Sequence, residues 1–265
     1  MRNKKTVFLV AALVVAVLGL ALAGCVLFRE RQAEVEEVTV LQDASAGALV
    51  AQNNMPAALR IFRQSASQLV VGSGFYIGKD GYAVTNAHVV TGGGSLYVED
   101  YNGETHPAQL LHADDSIDIA VIKVGVWVDQ SYMKFASSGD IQNACPGDEI
   151  FFIGNPSNLG FLIGSGVLSA TGVDLKNGSG YTMESLIVDA SINHGNSGGA
   201  LLNKNGAVIG VIFARMEHES SGVGQTEDIY GLGCAVPSDT VTAYLDKCGV
   251  DYESVQAGES VWGKG

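Results

Sequence analysis

A serine set between glycines is the part of this sequence with the clearest chemical meaning. Residues 195–199 read Gly-Asn-Ser-Gly-Gly, and the glycines around Ser197 allow backbone angles and close approaches that a side chain would prevent. Backbone N–H groups that converge beside such a serine stabilise an oxyanion. A serine hydroxyl is a weak nucleophile without a base, and the base needs a third group to orient it. The motif therefore predicts acyl-transfer chemistry and requires a histidine and a carboxylate elsewhere.

Both partners occur upstream. His88 ends the segment 81–88, and Asp118 directly precedes the apolar run 119–124. The chain order His, Asp, Ser is that of the chymotrypsin class, whereas subtilisins run Asp, His, Ser. We predict that His88 is the base, that Asp118 orients it, and that Ser197 is the nucleophile.

The carboxylate has two local rivals, Asp114 and Asp115. Asp118 is preferred because a strand that begins at residue 119 would hold it rigidly and partly remove it from water. The backbone N–H groups of Gly195 and Ser197 are the predicted oxyanion donors.

The serine motif also satisfies G-x-S-x-G, the nucleophile elbow of α/β-hydrolases. An elbow requires a helix directly after the serine, but residues 200–212 read as strand, tight turn and strand. The only later histidine, His218, lies in the polar stretch 217–222. An esterase of the α/β-hydrolase type is therefore disfavoured.

Several segments together carry a family resemblance. They occur in order between about residues 57 and 248, at positions 72–75, 80–90, 118–121, 195–201 and 231–237. These segments resemble the protease domain of the HtrA/Deg family of trypsin-like serine proteases. The resemblance implies hydrolysis of polypeptide substrates without a cofactor, and it leaves an oligomer open.

The sequence departs from that family at His194 and Ala200, where proline is usual or frequent, and at Cys234, where phenylalanine is usual. Without the proline the chain before Gly195 is less restricted, so the oxyanion hole is expected to be less preorganised. Only 28 residues follow Pro237, so no PDZ module is expected. These departures keep a second hypothesis open, a binding or regulatory module that retains the protease fold and cuts poorly.

The predicted fold is all-β and consists of two packed antiparallel β-barrels, joined near residues 136–147. The first barrel carries His88 and Asp118, and the second carries Ser197. Thirty-four glycines and many short apolar runs between turn signals fit such a fold. The candidate strands are 68–77, 82–85, 95–98, 108–112, 120–124, 149–153, 161–169, 186–189, 200–202, 207–213 and 231–236.

The resemblance also implies a specificity pocket. Its base would be formed by Ser191 and Ile192, and its walls by Ile212, Phe213, Ala214, Gly231 and Cys234. The two base residues are not acidic, and a basic substrate side chain would lose its hydration there without a counter-charge. We predict cleavage after small or medium aliphatic residues. Cleavage after Lys or Arg would require another acid, such as Glu217 or Asp228, to reach the pocket.

The charge balance and the residue spacing exclude other classes. The formal net charge is −13, and the chain without its first 24 residues would carry −16, so a nucleic-acid partner is disfavoured. No C-x-x-C or H-E-x-x-H spacing occurs, and we predict neither a metal nor a cofactor.

The N-terminus predicts a membrane anchor. Three basic residues precede an uncharged apolar stretch, and residues 7–28 would span about 33 Å as a helix. Residues 22–25 resemble a lipobox that would make Cys25 a lipidation site, but the apolar residues 26–28 favour an uncut span. An ordinary cleaved signal peptide is the third reading. The first two readings anchor the catalytic domain on the outer side of the cytoplasmic membrane.

The predicted organisation is therefore an anchor or lipoprotein signal at 1–28, a spacer at 29–56, a protease domain at 57–250 and a tail at 251–265. Whether the spacer is helical stays open. Three cysteines lie outside the anchor, Cys145, Cys234 and Cys248. Because the number is odd, a complete disulfide framework is excluded, and both a Cys234–Cys248 bond and free thiols stay open.

Overall fold

The computed structural model describes residues 45–66, 68–125, 131–156, 159–219, 226–256 and 261. The predicted anchor at 1–28 and the lipidation candidate Cys25 lie outside these ranges. Among the described residues, no helix combines the length and the apolar character that crossing a membrane demands.

Six antiparallel strands close the first barrel, in the order β1-β2-β3-β6-β5-β4. Helix α1 (Ala46–Asn54) and a 3₁₀ turn (Met55–Ala57) lead into it, and the short helix α2 (Ala87–Val90) follows its third strand. The strands are β1 (Ala58–Gln64), β2 (Leu69–Tyr76), β3 (Tyr82–Thr85), β4 (Ser95–Glu99), β5 (Thr105–Asp114) and β6 (Ile119–Val124).

The second barrel repeats this architecture, with the order β10-β11-β12-β9-β8-β7. Helix α3 (Ser138–Gln142) precedes it and helix α4 (Ser238–Cys248) follows it. Its strands are β7 (Glu149–Gly154), β8 (Leu162–Lys176), β9 (Thr182–Asp189), β10 (Ala200–Asn203), β11 (Val208–Glu219) and β12 (Thr226–Pro237). The predicted pair of antiparallel barrels is confirmed.

Apolar side chains that alternate along the strands fill each barrel. Leu59, Ile61 and Ile122 belong to a buried cluster in the first barrel, and Leu201 and Ile212 to one in the second. A further cluster takes residues from both barrels. At its centre the ring of Phe135, from the linker, lies 6.2 Å from the ring of Phe75 and 5.5 Å from that of Tyr252. This shared cluster holds the two barrels together.

The segments on both sides of the predicted protease domain pack against the barrels. Residues 46–54, predicted as part of a solvated spacer, form a helix in which Val50 is fully buried. Residues 251–256, predicted as tail, run along the linker, where the Val255 N–H donates to the Phe135 carbonyl at 2.9 Å. Apolar contacts at Val50 and Val255 draw both segments onto the barrels, and the compact unit begins at Ala46.

The three cysteines outside the N-terminal stretch are free thiols. Burial raises the pKa of the Cys234 thiol to about 12, so this thiol stays protonated and unreactive at neutral pH. Of the two alternatives left open by the sequence, the structure contains free thiols and no Cys234–Cys248 disulfide.

Candidate active site

His88 and Asp118 form a tight pair on the first barrel. The Nδ1 of His88 lies 2.8 Å from Asp118 Oδ2, and the His88 backbone N–H donates to Asp118 Oδ1 at 3.0 Å. The Asp118 carboxylate is buried, whereas 47% of the His88 side chain is exposed. A neutral imidazole has one N–H, and a carboxylate facing Nδ1 holds the proton there. Nε2 is then unprotonated and free to accept a proton.

The turn before β6 aims Asp118 at this histidine. Asp118 has a φ of +53°, in the left-handed region that aspartate tolerates better than most residues. Its carbonyl accepts hydrogen bonds from the Asn86 side chain at 2.9 Å and from the Ala87 N–H at 3.2 Å. The sequence predicts that strand β6 positions Asp118. In the structure, residues 86–88 also hold Asp118, through both its backbone and its side chain.

The two rival carboxylates are placed differently. Asp114 accepts hydrogen bonds from the Ser116 hydroxyl at 2.5 Å and from the Ser116 N–H at 2.9 Å. The hydroxyl bond lowers the pKa of Asp114 more than burial raises it. Asp115 is exposed. Asp118 is the acid that the structure brings to His88.

Ser197 lies in a tight turn between β9 and β10. The Asn196 N–H donates to the Asn193 carbonyl at 3.1 Å, which puts His194 and Gly195 at the centre of the turn. Gly195 has a φ of +95°, which favours glycine strongly at this position. The side chain of His194 is exposed and leaves the turn intact.

The two backbone N–H groups predicted as oxyanion donors form no hydrogen bond with any described residue. No described residue accepts a hydrogen bond from the backbone N–H of Gly195 or of Ser197, although their neighbours Asn196 and Gly198 both donate to carbonyls. Two unpaired N–H groups on the serine turn are what an oxyanion requires.

The two halves of the site meet across Gly72 in β2. A Cβ added at Gly72 would lie 2.7 Å from Val89 Cγ1 and 3.1 Å from the Ser197 carbonyl oxygen. The helix that carries His88 and the backbone of Ser197 are therefore separated by the width of a glycine. The Ser197 hydroxyl donates to the Phe213 carbonyl at 3.3 Å, which is a long hydrogen bond.

Ser73 is a positioning residue that the sequence reasoning missed. Its hydroxyl donates to the Gly195 carbonyl at 2.6 Å and accepts from the Asn155 N–H at 2.8 Å. Its backbone N–H donates to the Ser197 carbonyl at 2.8 Å. One buried residue of the first barrel thus fixes the serine turn of the second. The sequence feature that points to Ser73 is its place in the Gly-Ser-Gly segment 72–74.

We expect Ser73→Ala to lower kcat/KM by about 10–100-fold, because a loosened Gly195 carbonyl misplaces the oxyanion donors on the same turn. Ser185→Ala is the matched control, since Ser185 is also fully buried and its hydroxyl donates to a backbone carbonyl, that of Met183 at 3.2 Å. Peptide hydrolysis and thermal melting should be measured for both variants. Equal loss of activity in the two would contradict the positioning role.

The two strands that carry the predicted pocket walls pair with each other. Strand β11 pairs with β12, with Ala214 opposite Cys234. A Cβ added at Gly233 would lie 2.3 Å from Ile192 Cγ1, so Ile192 lies against this pair of strands. Ile192 and Cys234 pack in different clusters, however. Ile192 packs in the cluster with Ile212, whereas Cys234 packs with Phe213 in the cluster between the barrels.

An acid that the sequence reasoning did not consider lies beside the pocket wall. A Cβ added at Gly231 would lie 3.7 Å from Asp189 Oδ1, and Leu232 pairs with Asp189 across β12 and β9. Asp189 is exposed. Ser191, two residues further along, is exposed as well. Asp189 therefore lies beside Gly231 of the predicted pocket wall.

A second histidine–aspartate pair shows that such a pair does not by itself identify the site. His106 Nε2 lies 3.1 Å from Asp100 Oδ2 at the β4–β5 turn, and Glu104 completes a group whose ligand atoms lie within 4.8 Å of one another. Asp100 Oδ1 already accepts hydrogen bonds from the N–H groups of Asn102 and Glu104. The group stabilises the turn and is separate from the serine turn.

Comparison with known proteins agrees with this geometry. The family model described as a trypsin-like peptidase domain matches residues 72–211, which contain His88, Asp118 and Ser197. The chain belongs to the trypsin-like peptidase family. This endopeptidase is 31% identical over 245 residues to the serine endoprotease DegS of Haemophilus influenzae, in an alignment that covers 88% of the chain and 69% of DegS.

Two further similarities point the same way. A probable periplasmic serine endoprotease, DegP-like, of Rhizobium meliloti is 36% identical over 175 residues, which are 66% of this chain and 32% of that protein. The crystal structure of the serine endoprotease from Yersinia pestis superposes with a TM-score of 0.62 at 29% identity, covering 77% of this chain and 66% of that one. The chain thus spans about a third of the DegP-like relative's length. The predicted HtrA/Deg-type serine endopeptidase is confirmed.

Proposed function

We propose that His88, Asp118 and Ser197 are the catalytic triad of this endopeptidase and that it cuts peptide bonds through an acyl-enzyme. The observation that carries the proposal is the buried Asp118 carboxylate, which binds His88 through both of its oxygens. Gly72 faces both Val89, in the helix that carries His88, and the backbone of Ser197, whose turn offers two unpaired N–H groups.

The reaction follows from these positions. His88 Nε2 takes the proton of the Ser197 hydroxyl as Oγ attacks the substrate carbonyl carbon. The N–H groups of Gly195 and Ser197 stabilise the oxyanion of the tetrahedral intermediate. His88 then passes the proton to the leaving amine, which departs and leaves the acyl-enzyme. A water molecule, deprotonated by His88, hydrolyses this ester. Asp118 stays ionised and stabilises the imidazolium.

Labelling with a fluorophosphonate tests the triad directly, because the probe reacts with activated serines. Wild-type protein should be labelled at Ser197, as established by peptide mapping, and neither Ser197→Ala nor heat-denatured wild type should be labelled. Absence of label on the folded wild type would favour the module that keeps the fold but cuts poorly.

We expect cleavage mainly after Val, Ala, Ile or Leu, because Ser191 and Ile192 at the proposed base of the pocket carry no charge and a buried unpaired charge is costly. Preference among these residues should be weak, since one methylene changes binding by about 1–3 kcal/mol. The measurement is a profile of cut sites in a denatured protein mixture. Predominant cleavage after Lys or Arg that disappears in Asp189→Asn would instead assign Asp189 to the pocket.

The substrates we propose are accessible or unfolded polypeptides outside the cytoplasm. The relative from Rhizobium meliloti is named as periplasmic, and residues 7–28 are apolar enough to anchor the chain. We place the catalytic domain on the outer side of the cytoplasmic membrane. Trimming of that domain by protease added to intact cells or spheroplasts supports this topology, and full protection contradicts it.

A further inference from the structure

A buried arginine at one end of the first barrel has no counter-charge. Leu59 and Ile61 point into the barrel, and Arg63, two residues further along β1, is only 8% exposed. Its Nε donates to the Val89 carbonyl at 3.1 Å and its Nη1 to the Gly93 carbonyl at 3.3 Å. These acceptors satisfy two of its five N–H donors without neutralising the charge. No described carboxylate forms an ion pair with it.

The guanidinium lines a cavity of about 570 Å³. The walls combine apolar residues, among them Val90, Leu96 and Pro107, with a few neutral polar ones, and no described residue that lines the cavity is acidic. This is unexpected in a chain with 28 acidic and 15 basic residues. The lining of this cavity thus offers the buried cation no counter-charge, which favours an anion from outside.

A glycine loop adds hydrogen-bond donors beside the arginine. Gly92, Gly93 and Gly94 have φ values of +98°, +76° and +107°, and no described residue accepts a hydrogen bond from their N–H groups. A Cβ added at Gly92 would lie 3.1 Å from Arg63 Nη1, so the bare backbone packs directly on the guanidinium. Unpaired backbone N–H groups next to a cation are a recurrent way of binding anions.

We propose that this cavity binds a small organic carboxylate. The carboxylate group pairs with Arg63 and the loop 92–94, and the apolar body of the ligand lies among Val90, Leu96 and Pro107. Burial of a charge is costly unless it is paired, and the ligand supplies the missing partner. The site borders the C-terminal end of helix α2 at Val90 and contains no residue of the triad, so it does not depend on the proposed catalytic mechanism.

Calorimetric titration of the full chain carrying Ser197→Ala, which avoids self-digestion, tests the site with hexanoate, acetate and inorganic phosphate at constant ionic strength. Hexanoate should bind at least tenfold more tightly than acetate, because each buried methylene strengthens binding by up to about fourfold. Adding Arg63→Gln should weaken hexanoate binding at least tenfold. The matched control is Arg60→Gln, since Arg60 lies on the same strand and already has an acidic partner, Glu99, at 3.6 Å. It should leave hexanoate binding unchanged.

Failure of hexanoate to bind, equal binding to the Arg63→Gln protein, or phosphate binding without any preference for hexanoate would each overturn the proposal. If Arg63→Gln does not fold, NMR on the protein with Arg63 intact decides. The amide resonances of Gly92, Gly93 and Gly94 should shift during the hexanoate titration, and unchanged resonances would refute the site.

Discussion

Replacing Ser197 or His88 by alanine is expected to lower the kcat for peptide hydrolysis by about 10⁵–10⁶-fold, as in other serine proteases in which nucleophile and base act as one unit. Without Ser197 no acyl-enzyme forms, and without His88 nothing removes the hydroxyl proton. Because the two groups work together, the double variant should be little slower than either single one. Hydrolysis of casein or of a peptide substrate measures the loss.

The same two variants should differ in stability. The Ser197 hydroxyl makes one long hydrogen bond, so its loss should change the free energy of unfolding by under about 1 kcal/mol. Loss of the His88 ring removes a partner from a buried carboxylate and should cost about 1–3 kcal/mol. His106→Ala is the matched control, because His106 also pairs with a buried aspartate. If His106→Ala lost as much activity as His88→Ala, the loss would report damage to the fold and not catalysis.

Asp118→Asn should lower kcat by about 10⁴-fold with little effect on folding. An amide that donates to Nδ1 of His88 forces the imidazole proton onto Nε2, the nitrogen that must accept the serine proton. Asparagine tolerates the left-handed backbone at this position, where φ is +53°, so the turn before β6 should survive.

Asp118→Ala separates the chemical from the conformational role of this residue. It should lose similar activity and also about 1–2 kcal/mol of stability, because alanine pays the full cost of a left-handed conformation. Asp114→Asn is the control, since Asp114 is the neighbouring carboxylate that bonds to Ser116. A larger loss of activity in Asp114→Asn than in Asp118→Asn would show that the wrong acid has been assigned. Turnover and thermal melting should be measured in parallel.

Local sequence patterns predict much of the fold. Strand β3 was predicted at the residues that the structure shows, 82–85, because apolar residues there lie between a glycine turn and a polar segment. The predicted strands missed β1 (Ala58–Gln64), since Arg63 takes an interior position and hides the alternation begun by Leu59 and Ile61. Helix α4 was also missed, because its apolar face is only four residues, Val241, Tyr244, Leu245 and Cys248, in a short polar segment.

The sequence by itself determined the types of the reacting groups, their order along the chain and the need for two barrels to carry them. These features can be read along the chain, from the glycines around Ser197 and from the apolar runs beside His88 and Asp118. The sequence already favours Asp118 over its two neighbours, but only the tertiary structure shows how its carboxylate is held against His88, through the left-handed turn at Asp118 and its bonds to residues 86–88. The tertiary structure also decided that Ser73 holds the serine turn, 122 residues away along the chain. Contacts between residues so distant in sequence depend on how the barrels close and pack, and no local pattern contains that information.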